Sequence, residues 1–177
     1  MGGFSDDVAV PNPDLAVLRS LVRRFDGTRA IEIGSWLGTS ALAMRAAGAA
    51  EVHCVDTWRG TDDPRDDARL PRGTPDGELL RAFCEKVGPE LGDGIRPYVG
   101  ESLFWASVWP WRADLVFIDA DHRHEAALAD IRAWTPHVRP GGILCGHDYS
   151  QHWPGVVRAV HETGAFETSG AVWWRLI

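Results

Sequence analysis

Residues 32–40 read Glu32-Ile33-Gly34-Ser35-Trp36-Leu37-Gly38-Thr39-Ser40. Ahead of this stretch, 30–33 is a short apolar run that reads as a buried strand. Behind it, 39–47 carries small residues at helical spacing. Gly34 and Gly38 let the backbone approach a ligand, and the helix that follows presents its unpaired N–H groups. The spacing is G-x-x-x-G, unlike the G-x-G-x-x-G of a pyrophosphate site, and no lysine follows to complete a phosphate loop. Taken alone, the stretch reads equally as a tight strand-to-helix turn.

The same alternation of short apolar runs and amphipathic stretches extends outward along the chain. Pro11-Asn12-Pro13-Asp14 supplies a stop and a cap. A helix follows with Leu15, Leu18, Leu21, Val22 and Phe25 on one face, and Asp26-Gly27 ends it. Further strands are expected at 52–55, 95–99, 114–118 and 143–145, the last after a turn at Pro140-Gly141-Gly142. Helices are expected at 78–87, 102–107, 124–134 and 155–162, with a closing hairpin over 166–168 and 171–176 around Ser169-Gly170. This pattern predicts one doubly wound α/β domain over 1–177, a mixed seven-stranded sheet with its last strand antiparallel. Such sheets bind ligands at the carboxyl ends of their strands, near the switch point. The stretch 57–75 balances Asp62, Asp63, Asp66 and Asp67 against Arg59, Arg65, Arg69 and Arg72. It reads as a solvated loop or as a substrate lid.

Residues just past the strands carry the chemistry. Asp56 follows the second strand, about twenty residues after the glycines, where a carboxylate can grip two ribose hydroxyls. Together with the first loop it points to a nucleoside ligand, and without the pyrophosphate pattern S-adenosylmethionine fits better than NAD. The fourth strand ends in Phe117-Ile118-Asp119-Ala120-Asp121-His122, and the fifth in Leu144-Cys145-Gly146-His147-Asp148-Tyr149. If these strands are neighbours, three carboxylates and two imidazoles meet at one edge. Asp119, His147 and Asp148 can then supply three ligands to a divalent ion, with positions open for substrate oxygens. The bland alternative is a charged strand edge, with Asp121 capping the following helix.

Composition excludes several classes. Of 177 residues, 18 are Lys or Arg and 25 are Asp or Glu, a net charge of −7. That balance disfavours a nucleic-acid partner. No apolar run approaches the ~20 residues of a membrane span, and the acidic start is no signal peptide. A cytoplasmic protein is therefore expected, with Cys54, Cys84 and Cys145 as small hydrophobes in a reducing compartment. The stretch 34–38 is no G-x-S-x-G nucleophile elbow, and no H-E-x-x-H zincin motif occurs. Lys86 is the single lysine, too few for a lysine-based ribose methyltransferase. Nine tryptophans are present. Trp134, on a face with Ile131, reads as core. Trp58, Trp105, Trp109 and Trp153 fall in loops near the expected cleft, where they can wall an aromatic or sugar substrate; about half can instead serve core or interface.

Taken in order, Glu32-x-Gly34-xxx-Gly38-x-Ser40, Asp56, Gly100-Glu101-Ser102, the run 117–122 and Pro140-Gly141-Gly142 before Gly146-His147-Asp148-Tyr149 resemble class I S-adenosylmethionine-dependent methyltransferases. The likeness is greatest to small-molecule O-methyltransferases with a catechol-type core, including metal-dependent enzymes that methylate natural-product sugars. This resemblance implies a Rossmann-like fold and a set of roles. Gly34, Trp36 and Ser40 would line the methionine end of the cofactor, with Glu32 shaping that loop. Asp56 would hold the ribose, and Gly100, Glu101, Ser102 and Ala120 would border the adenine. Asp119 would reach the cofactor's amino group and the metal together. His147 and Asp148 match the other two metal positions. The family more often has a carboxylate where His147 stands, so the site is softer than an all-oxygen Mg²⁺ cage. Mg²⁺ is the expected ion, and a softer one the alternative. His122 is the expected general base, matching a base in the resembled enzymes and titrating near working pH, with Asp121 second. The expected reaction is methylation of a hydroxyl on a small molecule such as a natural product, sugar or phenol. Alternatives are a metal-independent methyltransferase and a non-catalytic cofactor-binding protein of the same fold. Only about a dozen residues precede the first expected helix, so the N-terminal cap of many relatives is not expected, and 57–75 or a second subunit of a homodimer is expected to close the cleft.

Overall fold

A computed structural model describes residues 12–60 and 77–177 of the chain. Helix α1 (Asn12–Val22) leads into strand β1 (Arg29–Ile33), α2 (Thr39–Ala46) and β2 (Glu51–Asp56). After the undescribed stretch come α3 (Glu78–Val87), β3 (Ile95–Val99), α4 (Ser102–Val108) and β4 (Ala113–Ile118). The chain closes with α5 (His124–Trp134), β5 (Val138–Gly146), α6 (Pro154–Glu162), β6 (Glu167–Ser169) and β7 (Val172–Leu176). Most of the expected stretch 57–75 lies outside the described residues.

The strands form one seven-stranded sheet in the order β3-β2-β1-β4-β5-β7-β6. Pairings among β3, β2, β1, β4 and β5 are parallel, while β7 runs antiparallel to both β5 and β6. This is the expected Rossmann-like sheet with its antiparallel C-terminal hairpin. Period-2 alternation splits the strand residues between two cores. Ala30, Leu115, Phe117, Ile143 and Cys145 face α1, α2 and α3, whose Leu18, Met44 and Phe83 cover them. Ile31, Ile33, Val116, Ile118 and Leu144 face α4, α5 and α6, under Ile131, Trp134 and Val160. Trp134 is fully buried, as its place beside Ile131 requires. All three cysteines are free thiols, with Cys54 and Cys145 buried.

Two expectations are corrected. The fifth strand starts at Val138, and Pro140-Gly141-Gly142 is an irregularity inside it instead of a turn before it. Register passes from Ala113 opposite Val138 to Leu115 opposite Ile143. Gly141 takes φ +75°, and a Cβ on Gly142 would stand 2.8 Å from the Asp114 carbonyl oxygen, so the bulge needs glycine at both positions. Trp105 and Trp109 do not wall the cleft. Helix α4 turns them onto the outer strands, where they meet Tyr98 edge-on at 5.2 and 4.9 Å. Trp109 also packs against His53, a buried histidine whose Nδ1 lies 3.0 Å from the Tyr98 hydroxyl.

The switch point falls between β1 and β4. The chain leaves β1 toward β3 on one side and returns to β4 on the other, so the loops after β1 and β4 face each other across a crevice. Among the described residues, no helix is long and apolar enough to cross a membrane.

Candidate active site

The loop after β1 is pressed against the loop after β4. Gly34 has φ +84°, and a Cβ there would lie 2.1 Å from the Asp119 carbonyl oxygen. Gly34 N–H donates to the Val55 carbonyl (2.9 Å), and Asp119 N–H donates to that of Ile33 (2.8 Å). Gly38, at φ +83°, starts α2 under Phe83 and Val87. Beneath the loop Glu32 is completely buried, with Oε2 accepting from the Cys54 thiol at 3.4 Å. Burial pushes its carboxyl up, partly countered by Ser40, Ser35 and Cys54. Among the described residues, Glu32 Oε1 and Ser35 Oγ have no hydrogen-bond partner. Glu32 thus supports the loop from below while Ser40 lines the cleft.

Asp56 ties two loops together. Its Oδ2 accepts the Trp36 N–H at 2.8 Å, and its Oδ1 accepts the Trp58 N–H at 2.7 Å. Trp36 and Trp58 adopt φ of +42° and +49°, a conformation that costs a non-glycine residue about 1–2 kcal/mol. The Trp58 indole N–H closes the arrangement by donating to the Trp36 carbonyl at 2.8 Å. Burial raises the Asp56 pKa, and the backbone amides, Trp58 first, oppose that.

The resulting cleft has a volume of about 950 Å³. Gly34, Trp36, Ser40 and Asp56 line it on one side, Gly100, Glu101 and Ser102 on another, and Asp119 through His122 on a third. It is large enough for a nucleoside cofactor together with a small acceptor. One wall was not legible from sequence: Asp130 of α5, 6% exposed, accepts the Ser102 hydroxyl at 2.5 Å. The Trp134 indole donates to the same Ser102 oxygen at 2.8 Å. Burial pushes Asp130 up to about 6 despite Ser102. The signal that could have found it is an aspartate set among the apolar residues of α5.

At the mouth of β4 and β5 the two imidazoles and the carboxylates meet as strand adjacency requires. His122 Nε2 lies 2.7 Å from Asp148 Oδ2, and its ring stacks on Trp153 at 3.9 Å. Gly155 makes room for this turn, since a Cβ there would stand 2.4 Å from the His122 carbonyl oxygen. His147 lies behind the carboxylates, with Nδ1 3.4 Å from Asp148 Oδ1 and 3.7 Å from Asp119 Oδ1. Its Nε2 faces Asp14 Oδ2 at 3.3 Å. Burial opposes a charge on His147, but Asp119, Asp148 and Asp14 outweigh it and lift its pKa to about 9. Burial pushes Asp119 up, whereas on Asp148 the His122 and His147 rings outweigh burial and hold the carboxyl down.

Among the described residues, the group whose ligand atoms all lie within 4.8 Å of one another is Asp119, His122 and Asp148. His122 therefore stands where the sequence reading set His147, whose two nitrogens already face carboxylates. Two carboxylates and one imidazole suit a divalent cation, so the donor set fits one. Asp121 is turned to the helix start: it accepts the Arg123 N–H at 2.8 Å and pairs with the Arg123 guanidinium. Ala120 lines the same cleft.

A search of curated proteins finds no match. The O-methyltransferase from Bacillus cereus, solved in complex with SAH, shares 18% identity at a TM-score of 0.66, covering 97% of this chain and 84% of that one. Cofactor-bound Rv0187 from MTB shares 18% identity at a TM-score of 0.69, with 96% and 82% covered. Ribosomal protein L11 methylase from Lactobacillus delbrueckii subsp. bulgaricus shares 17% identity at a TM-score of 0.58, with 92% and 77% covered. Identities this low establish the shared fold, and one fold serves different acceptors. The family model described as a methyltransferase domain matches residues 31–149, about two thirds of the chain. The chain belongs to the methyltransferase domain family and shares the fold of these cofactor-bound methyltransferases.

Proposed function

We propose that this enzyme moves the methyl group of S-adenosylmethionine to a hydroxyl oxygen of a small molecule, with His122 as general base. The observation that carries this reading is the 2.7 Å contact between His122 Nε2 and Asp148 Oδ2 at the floor of the cofactor cleft. The sulfonium is already an activated methyl donor, so the protein has to align an oxygen with it and remove one proton. With Nε2–H donating to Asp148, the imidazole tautomer carries its basic lone pair on Nδ1. The acceptor's O–H bond breaks as the new O–CH3 bond forms. The proton passes to Nδ1, and S-adenosylhomocysteine leaves. Asp148 holds the ring in register and stabilises the imidazolium, while Trp153 fixes its plane by stacking.

The close approach of Asp119, His122 and Asp148 favours a second reading, in which these three hold a divalent cation. A bound cation would orient adjacent substrate oxygens and lower the acceptor's pKa. His122 would then be a ligand and not the base. Mg²⁺ belongs to this reading, although the imidazole donor suits a softer ion. Incubation with isotope-labelled S-adenosylmethionine and a panel of catechols, phenols and sugars tests the function. A methylated product lost in His122→Asn supports it. Well-folded protein that binds the cofactor but methylates no hydroxyl compound contradicts it.

A further inference from the structure

Four side chains form an unbroken line from the first helix to the cleft. Asp14 Oδ2 lies 3.3 Å from His147 Nε2, and His147 Nδ1 lies 3.4 Å from Asp148 Oδ1. Asp148 Oδ2 completes it at 2.7 Å from His122 Nε2. We propose that Asp14 is a positioning residue of the methyl-transfer site, acting on His122 through His147 and Asp148. The proposal rests on the reading above for the role of His122.

Helix α1 contributes nothing to the cleft wall, and an aspartate near a helix start can cap it from solvent. Asp14 is instead only 6% exposed, and burying a carboxylate is costly unless its oxygens are used. Both are used. Oδ1 accepts the Ala171 N–H at 3.1 Å, while Oδ2 faces His147. Space for the carboxylate exists because the hairpin turn has glycine at 170. That residue takes φ +60°, and a Cβ there would lie 2.1 Å from Asp14 Oδ1.

Ala171 does double duty, since its carbonyl accepts the Tyr149 N–H at 3.0 Å. Helix α1 and the hairpin thus grip residues 147–149 from two sides. Between them Asp148 sits at φ +60°, the backbone state that lets one carboxylate span both imidazoles. With carboxylates at both nitrogens, the His147 ring has one favoured orientation. Removing Asp14 frees one end of that ring, loosens Asp148 and releases the group that fixes the His122 tautomer. Outer partners that orient the ligands of a metal site are typically worth roughly 10–100-fold, and the same order is expected for an orienting partner here.

The test uses the full chain with ¹⁵N-labelled histidine. Asp14→Asn should shift the ring signals of both His147 and His122 while the amide spectrum of the sheet is retained. It should also lower kcat roughly 10-fold or more, with affinity for S-adenosylhomocysteine changed less than about 2-fold. Asp14→Glu should restore part of the loss. A His122 ring signal unmoved in Asp14→Asn, or an unchanged kcat, would overturn the proposal. The wild-type protein gives an independent check should Asp14→Asn not fold: the His147 Nε2–H should be protected from exchange, and a freely exchanging one overturns the proposal. A wild type that methylates nothing would sink the proposed function, while the ring signals would still decide the role of Asp14.

Discussion

His122 and Asp148, 26 residues apart, meet at 2.7 Å because β4 and β5 are parallel neighbours whose ends stop side by side. The pairing gives an imidazole an orienting carboxylate beside the cleft, and in the proposed function His122 is the general base on which turnover depends. His122→Asn should lower kcat by roughly 10²–10⁴-fold, the usual contribution of a positioned general base. Affinity for S-adenosylhomocysteine should stay near wild type. Steady-state kinetics with calorimetry on the same sample checks both, and a variant that keeps kcat assigns the base elsewhere.

Chelation sorts the two readings of the carboxylate edge. With His122 as base, EDTA leaves kcat intact. With a cation at Asp119, His122 and Asp148, EDTA abolishes turnover and added Mg²⁺ or Mn²⁺ restores it. In that case Asp119→Asn should raise the metal concentration needed for half-maximal rate.

Gly34→Ala should be among the most damaging single changes. The new Cβ would meet the Asp119 carbonyl oxygen at 2.1 Å, a backbone atom that cannot swing away, at a φ of +84°. Left-handed backbone alone costs about 1–2 kcal/mol, and the clash adds to it. Urea denaturation should show a clear loss of stability, and cofactor binding should vanish. Native stability with native affinity would mean the two loops are not held as close as described.

Asp130 gives the pH dependence a definite sign. Its folded pKa is about 6, raised by burial from an ordinary 3.8. Across that window the folded chain keeps a proton that the unfolded chain loses, so stability falls as pH rises from about 4 to 6. Above it the buried charge costs on the order of 2–3 kcal/mol. Asp130→Asn keeps an acceptor for the Ser102 hydroxyl and removes the charge. It should therefore be more stable than wild type at neutral pH, with the gap closing near pH 4. Denaturant midpoints at several pH values measure this, and a gap that does not change with pH would contradict it.

Much of the fold was legible because local signals agreed. The 78–87 and 124–134 helices and the 95–99 strand appear with the bounds their periodicity gave. Pro140-Gly141-Gly142 misled because proline and glycine signal a turn, whereas here they form a bulge pinned by the Asp114 carbonyl. The meeting of Asp119, His122, His147 and Asp148 followed from strand adjacency alone. What did not follow is which imidazole faces the cleft: His147 is turned to Asp14, 133 residues away in the chain and set beside the hairpin at Gly170. Trp105 and Trp109 were misplaced for a similar reason, since sequence locates a loop but not the face its helix turns inward. Ser102 drew notice through its motif, while its partner Asp130 lies 28 residues away on another helix.

The most direct test is calorimetric titration of S-adenosylmethionine into wild-type protein and Asp56→Ala. Asp56 joins the Trp36 and Trp58 loops that line the cleft, and the proposed function sets it against the ribose. Saturable one-to-one binding by the wild type, weakened at least about 10-fold in the variant, is the expected result. Well-folded wild-type protein that binds no cofactor would contradict the account at its root.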